Sequence, residues 1–180
     1  MTEQLTILLV EDTMTQALML KRILESTSRY NVVIARNGKQ ALDILSHSNP
    51  DLIVSDVNMP EMDGYDLARA IKADPRTSGV PFVLFAALLQ RDDVFRIIEC
   101  GADNFMIKTY DEGYLLARVN DIVANARMRV RQSEDDRQWN GVFDGHIVNT
   151  HSTFTKVLDM LLSSFATNVQ QAQATTEIAK

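Results

Sequence analysis

The sequence predicts an α/β fold of five strand–helix units around a parallel sheet, with a C-terminal helical extension that contains a short hairpin. Three observations carry this. Short apolar runs at 5–10, 32–35, 52–55, 82–86 and 105–107 are mostly continuous rather than alternating, as strands buried on both faces are. Amphipathic stretches of helical period lie between them, and turn-forming residues separate the two kinds of segment. Five such units imply right-handed crossovers with helices on both faces of the sheet.

Taken in order, Ala17, Leu20 and Leu24 mark one face of the first helix, after the first run. Asn37-Gly38 opens the second helix, whose apolar face is Ala41, Leu42 and Leu45. Asn49-Pro50 leads into the third run, and Asp63-Gly64 precedes the third helix, marked by Leu67, Ala70 and Ile71. Asp74-Pro75 and Gly79 lead to the fourth run. Val94, Ile97 and Ile98 mark the fourth helix, and Gly101 stands where a helix-ending glycine belongs. Leu115, Val119, Ile122 and Ala126 mark the fifth.

After Ala126 the character changes. Residues 127–137 are densely charged and continue the fifth helix as a solvated linker; Glu134-Asp135-Asp136 cancels the neighbouring arginines, which argues against a nucleic-acid arm. Asp144-Gly145 between apolar residues at 142–148 signals a hairpin. A last helix is expected from about Ser152, with Ser152 or Thr153 as its cap. Its residues Phe154, Leu158, Leu161, Phe165, Asn168 and Ala172 step by 4-3-4-3-4, a heptad seam in which Asn168 can fix register. That seam either pairs two chains as a homodimer or packs on the first domain, and Val157 and Leu162 widen it toward a multi-helix contact. The organisation read from this is a first domain at 1–126, a charged helical linker at 127–140, and a hairpin plus long helix at 141–180.

Composition narrows the function. A net charge of −6, from 18 basic and 24 acidic residues, argues against a general grip on nucleic acid, which needs a basic face. The single cysteine, Cys100, excludes an intramolecular disulfide and a cysteine-based zinc site and reads as a small buried residue. No apolar run reaches the ~18–20 residues that span a bilayer. The N-terminus lacks the basic stretch of a signal peptide. The expectation is a cytoplasmic protein with no membrane partner.

In an open parallel sheet, ligands bind at the carboxyl ends of the strands. The first strand ends in Glu11-Asp12, the third in Asp56 and the fifth in Lys108. Three convergent carboxylates repel one another and call for a cation, and oxygen-only ligands suit Mg²⁺. A lysine beside them can hold a phosphoryl oxygen as a point charge. Together they supply what a phosphoryl-accepting carboxylate needs: neutralised charge on the transferring group and an in-line nucleophile.

These residues reach a known family. Ile7-Leu8-Leu9-Val10-Glu11-Asp12, the stretch from Asp51 through Asp56 to Gly64, and Gly101-Ala102-Asp103-Asn104-Phe105-Met106-Ile107-Lys108 closely resemble the receiver domain of two-component response regulators. The resemblance covers about two-thirds of the chain. It implies a flavodoxin-like sheet of order 2-1-3-4-5. It also implies that Asp56 is the phosphoacceptor, and that Glu11, Asp12, Asp56 and the backbone carbonyl of Asn58 bind Mg²⁺ or Mn²⁺. Lys108 would pair with the phosphoryl group, and Phe105 holds an aromatic switch position. The implied donor is a phosphohistidine on a sensor kinase or a phosphotransfer protein, and the domain itself is regulatory rather than an enzyme. Residues 143–148 and 157–165 resemble the connector that follows N-terminal receivers in some hybrid sensor histidine kinases.

Two positions depart from the family. Ala86 stands where Ser or Thr usually ends the fourth strand, and Thr109 stands where proline usually follows the lysine. Alanine cannot supply the hydroxyl's hydrogen bond to a charged group, worth ~1.5–3 kcal/mol, and a non-proline cis bond after Lys108 would cost ~2.5–4 kcal/mol. The expectation is an acceptor that couples weakly or unconventionally to its surface. Leu88 could shield an acyl phosphate or simply face a helix. His47, His146 and His151 read as surface histidines rather than relay sites. The alternatives are a phosphorylation-independent scaffold and the N-terminal piece of a hybrid histidine kinase. A flavin or nucleotide binder is disfavoured because Glu11-Asp12 stands where a phosphate-binding glycine loop would be. A phosphohydrolase is disfavoured because Asn58 stands where a second acid would be needed.

Overall fold

The structure is a computed structural model that describes residues 4–87, 91–108, 111–131, 139–143 and 146–150. Strands β1 (Leu5–Val10), β2 (Tyr30–Ala35), β3 (Leu52–Asp56), β4 (Phe82–Ala86) and β5 (Asn104–Ile107) alternate with helices α1 (Met14–Glu25), α2 (Gly38–His47), α3 (Gly64–Ala73), α4 (Arg91–Glu99) and α5 (Glu112–Arg131). All four strand pairings are parallel, and the sheet order is β2-β1-β3-β4-β5. This is the α/β fold that the strand–helix pattern predicts, in the flavodoxin-like strand order that the resemblance implies.

Both faces of the sheet are covered, which explains the continuous apolar runs. Leu8, Val10, Ile53, Phe82 and Leu84 face a core completed by Ala41, Leu45, Leu67, Ile71 and Ile97 from α2, α3 and α4. Their neighbours Ile7, Leu9, Val54, Val83 and Phe85 face the opposite core, completed by Leu20, Leu24, Leu115, Val119 and Ile122 from α1 and α5. Each strand therefore divides its side chains between two cores at a period of two.

Local chemistry fixes where the helices start. The Asn37 side chain accepts from the Gln40 N–H at 2.8 Å, and the Asp63 side chain accepts from the Asp66 N–H at 2.8 Å. Asp111 does the same for the Tyr114 N–H at 2.7 Å. Gly101, after α4, has φ +79, the left-handed conformation expected of it. The connection from α3 to β4 is pinned by Lys72, which donates to the Ser78 and Val80 carbonyls at 3.0 and 2.8 Å and to the buried Asp103 carboxylate.

Several elements run longer than their apolar runs. β2 begins at Tyr30, whose ring is fully buried and whose hydroxyl donates to Asn120 on α5. α5 continues past Ala126 to Arg131. Strands β6 (Trp139–Phe143) and β7 (His146–Thr150) pair antiparallel, with Phe143 opposite His146, while Asp144-Gly145 lies outside the described residues. β6 starts inside the stretch expected to be linker. The seam from Phe154 to Ala172 lies outside the described residues, as do Leu88, Thr109 and His151.

Candidate functional site

The register of the sheet assembles the site. β1 pairs Val10 with Ser55, so the residue after β1, Glu11, comes beside Asp56 at the end of β3. β4 pairs Ala86 with Ile107, and the Lys108 N–H donates to the Ala86 carbonyl at 2.6 Å. The Lys108 side chain then reaches across the end of β4. Its Nζ lies 2.7 Å from Asp56 Oδ2 and 2.8 Å from Glu11 Oε2. It also donates to Gln16 Oε1, on the first turn of α1, at 3.2 Å.

Asp12 completes the acidic group. One carboxylate oxygen from each of Glu11, Asp12 and Asp56 lies within 4.8 Å of the others. At an effective dielectric near 20, two unit charges at that spacing repel by about 3.5 kcal/mol. One ammonium cannot balance three carboxylates, so the donor set fits a further cation. Oxygen-only ligands at the mouth of the site suit a hard divalent ion such as Mg²⁺. Glu11 is 1% exposed, and burial lifts its carboxyl above the ordinary range against the pull of Lys108. Burial works against the charge on Lys108, but its hydrogen bonds to Asp56 and Glu11 outweigh that and raise its pKa.

Backbone groups orient the carboxylates. The Thr13 N–H donates to Glu11 Oε1 at 3.2 Å, and the Thr13 hydroxyl donates to Asp12 Oδ1 at 3.1 Å. The Asn58 N–H approaches Asp56 Oδ1 at 3.4 Å. The start of α3 packs against the Asp56 main chain: a Cβ on Gly64 would lie 2.3 Å from the Asp56 carbonyl oxygen, and the Gly64 N–H donates to the Val57 carbonyl at 2.9 Å.

The expected switch positions fall as follows. Ala86 ends β4 and is 8% exposed, with no polar side-chain atom to offer the site. Phe105 is buried in the core shared with α3 and α4. A cluster the sequence did not reveal ties those two helices together. The Arg96 guanidinium lies 4.0 Å over the Tyr65 ring and 3.6 Å from Asp63, and the Tyr65 hydroxyl donates to Asp93 at 3.2 Å. Gln16 was also missed, because no spacing rule links a residue on the first helix to a lysine 92 positions later.

The chain is similar to known proteins. Residues 7–120 match the family described as Response regulator receiver domain. The signal receiver domain of a signal transduction histidine kinase from Syntrophus aciditrophicus is 43% identical, with a TM-score of 0.63, over 73% of this chain and 96% of that one. Histidine kinase P4 of Formosa agariphila is 34% identical over 160 residues, 89% of this chain but 11% of the kinase. That stretch is longer than 1–126 and so runs into the C-terminal part. Response regulator PleD of Caulobacter vibrioides is 37% identical over 118 residues, 64% of this chain and 26% of PleD. The chain thus spans about a quarter or less of these two curated relatives.

Proposed function

The chain belongs to the family of response regulator receiver domains, which act in two-component phosphorelay signalling, and on that premise we propose that Asp56 accepts a phosphoryl group from a histidine kinase or phosphotransfer protein. The observation that carries this is Lys108 Nζ at 2.7 Å from Asp56 Oδ2, beside three carboxylates whose oxygens lie within 4.8 Å of one another. An Asp56 carboxylate oxygen attacks phosphorus in line and forms the O–P bond. The P–N bond to the donor histidine breaks, and its electron pair leaves with the imidazole. Lys108 turns one N–H from Asp56 to a phosphoryl oxygen. Glu11, Asp12, Asp56 and the Asn58 backbone carbonyl would hold Mg²⁺, or Mn²⁺, which when bound neutralises charge on the transferring group. In this reading the chain is a phosphoacceptor whose only reactions are its own phosphorylation and slow dephosphorylation.

The response to phosphorylation is expected to be unconventional. Ala86 offers no hydroxyl, but Asp56 abuts α3 through Gly64, and α3 is tied to α4 through Asp63, Tyr65, Arg96 and Asp93. We assign the receiver to 1–126, a linker from 127 up to the start of β6 at Trp139, and an output element from Trp139 to 180. Its seam of Phe154, Leu158, Leu161, Phe165, Asn168 and Ala172 would act by self-association or partner binding. The likeness to a histidine kinase beyond the receiver supports a place for this arrangement beside a kinase. No helix among the described residues is long and apolar enough to cross a membrane, which fits a cytoplasmic site of action.

The test is intact mass after incubation with Mg²⁺ and a small-molecule phosphodonor, run beside light scattering. A phosphoryl adduct absent from Asp56→Asn is expected. No adduct from the donor, or from a panel of phosphorylated histidine kinases, would leave the phosphorylation-independent scaffold as the better reading.

A further inference from the structure

We propose that Gln16 is a positioning residue for phosphoryl transfer. Its side-chain carbonyl holds the third N–H of Lys108, so the ammonium stays aimed into the site while its contact with Asp56 changes. The proposal deepens the phosphoacceptor reading and rests on it.

A lysine ammonium has three donors and no acceptor. Here each donor has a partner: Asp56 Oδ2 at 2.7 Å, Glu11 Oε2 at 2.8 Å and Gln16 Oε1 at 3.2 Å. A lysine head is otherwise a compact charge on a flexible stem, free to rotate its donors. The side chain is 12% exposed, so water offers little substitute for a lost partner.

The three partners do not share a fate during transfer. The Asp56 oxygen loses charge as the O–P bond forms. Glu11 belongs to the cluster that would hold the metal, so its oxygen serves two cations. Gln16 is neutral, lies outside that cluster and takes part in no bond that forms or breaks. It is the one leg whose charge and partner are the same before and after.

Its own placement is firm. Gln16 sits on the first turn of α1, which begins where the Thr13 carbonyl accepts from the Ala17 N–H at 2.9 Å and the Thr13 N–H donates to Glu11. Ala17 and Leu20, its neighbours, are buried. The same turn that orients Glu11 therefore carries Gln16. Among the described residues, Lys108 is the cation that contacts Asp56, and Ala86 adds no donor. The aim of Lys108 then bears directly on the rate.

The experiment compares wild type, Gln16→Leu and Gln16→Glu in the full chain. Phosphoryl acceptance from a small phosphodonor is measured at saturating Mg²⁺, Mg²⁺ affinity by calorimetry, and the Lys108 ammonium signal by ¹⁵N NMR. Gln16→Leu is expected to slow acceptance about fivefold or more and to broaden the ammonium signal, with Mg²⁺ affinity within about twofold of wild type. Gln16→Glu, which keeps an acceptor at the same reach, is expected to restore at least about half the rate. An unchanged rate in Gln16→Leu overturns the proposal. So does a loss that Gln16→Glu fails to rescue, or one that Mg²⁺ affinity follows in parallel, since those mark a merely structural role. If the wild type accepts no phosphoryl group, the phosphoacceptor reading fails instead, and the ammonium signal alone decides whether Gln16 holds Lys108: a signal that stays sharp in Gln16→Leu overturns it.

Discussion

Gly64 gives the sharpest test of how α3 seats against the site. A Cβ there would meet the Asp56 carbonyl oxygen at 2.3 Å, Leu84 Cδ2 at 2.9 Å and Val57 Cα at 3.0 Å. Two of those three atoms are main chain and cannot rotate away. Overpacking of this kind costs about 1–3 kcal/mol, and the upper half applies because the β3–α3 connection itself must shift. Alanine's better helix propensity recovers at most about 1 kcal/mol. The net expectation for Gly64→Ala is a loss of about 2 kcal/mol, or about 6–10 °C in melting temperature for a domain of this size. Two other glycines calibrate the argument. At Gly38 the added atom meets the Met62 side chain, Sδ at 2.6 Å, Cγ at 2.7 Å and Cβ at 3.0 Å; Sδ and Cγ can rotate away, so Gly38→Ala should cost about 1 kcal/mol. At Gly79 nothing lies within 4 Å, so Gly79→Ala should be neutral or gain about 0.4–1 kcal/mol through the unfolded state. Thermal unfolding followed by circular dichroism, with phosphoryl acceptance in parallel, reads all three. A Gly64→Ala melting temperature within about 2 °C of Gly38→Ala would refute the claim that α3 is seated on the Asp56 backbone.

The remaining expectations concern the response and the core. Ala86→Thr should enlarge the phosphorylation-dependent change in size or shape; light scattering or small-angle scattering that shows no difference from wild type counts against the idea that the missing hydroxyl weakens coupling. Arg96→Ala removes the contact over Tyr65 and the Asp63 pair, both at a partly exposed site, and should cost about 1 kcal/mol or less in urea unfolding. Acceptance at Asp56 should survive it, while the amide-shift response of α4 to phosphorylation should shrink; an undiminished response removes α3–α4 from the route. Lys72→Met leaves the buried Asp103 carboxylate without its ammonium and should destabilise by about 3 kcal/mol, read as a lower urea midpoint. Cys100 is buried and burial pushes its thiol up to about 11, so iodoacetamide at pH 8 should label it only after unfolding.

Much of this was legible in the residues because strand burial leaves a direct mark. Runs such as Leu52–Val54 are apolar at successive positions since each side chain meets one of two cores. The charges that end β1, β3 and β5 were legible for the complementary reason: carboxylates and an ammonium that interrupt such runs must lie at a strand's mouth. Gly101 announced itself as a helix-ending glycine, while Asn37-Gly38 and Asp63-Gly64 marked only boundaries, and the structure adds that Asn37 and Asp63 cap their helices. The parts that were missed depend on tertiary distance alone. Gln16 looks like any polar residue of a first helical turn until Lys108 arrives beside it. Lys72 looks like a solvated helix lysine, yet it is half-buried and donates to Asp103 and two carbonyls. Tyr30 falls outside the apolar run of β2 because Asn31 interrupts it, although the ring is fully buried.

Acceptance and response rest on different parts of this fold, which is why the two departures at the strand ends do not argue against phosphorylation. Acceptance needs the ends of β1, β3 and β5, and the register of a parallel sheet brings Glu11, Asp56 and Lys108 together whatever residue ends β4. Response needs a physical link from Asp56 to a surface. With alanine at 86, a hydroxyl pull on the loop after β4 is not on offer. A displacement at Asp56 would still press on Gly64, whose Cα has no clearance from the Asp56 carbonyl even for a methyl group. It would thereby move Asp63, which both caps α3 and pairs with Arg96. Arg96 in turn lies on the Tyr65 ring, and Tyr65 donates to Asp93 on the same helix as Arg96. The contacts among Asp63, Tyr65, Asp93 and Arg96 link the acceptor loop to α4 without using position 86, so a response carried by them does not require the missing hydroxyl.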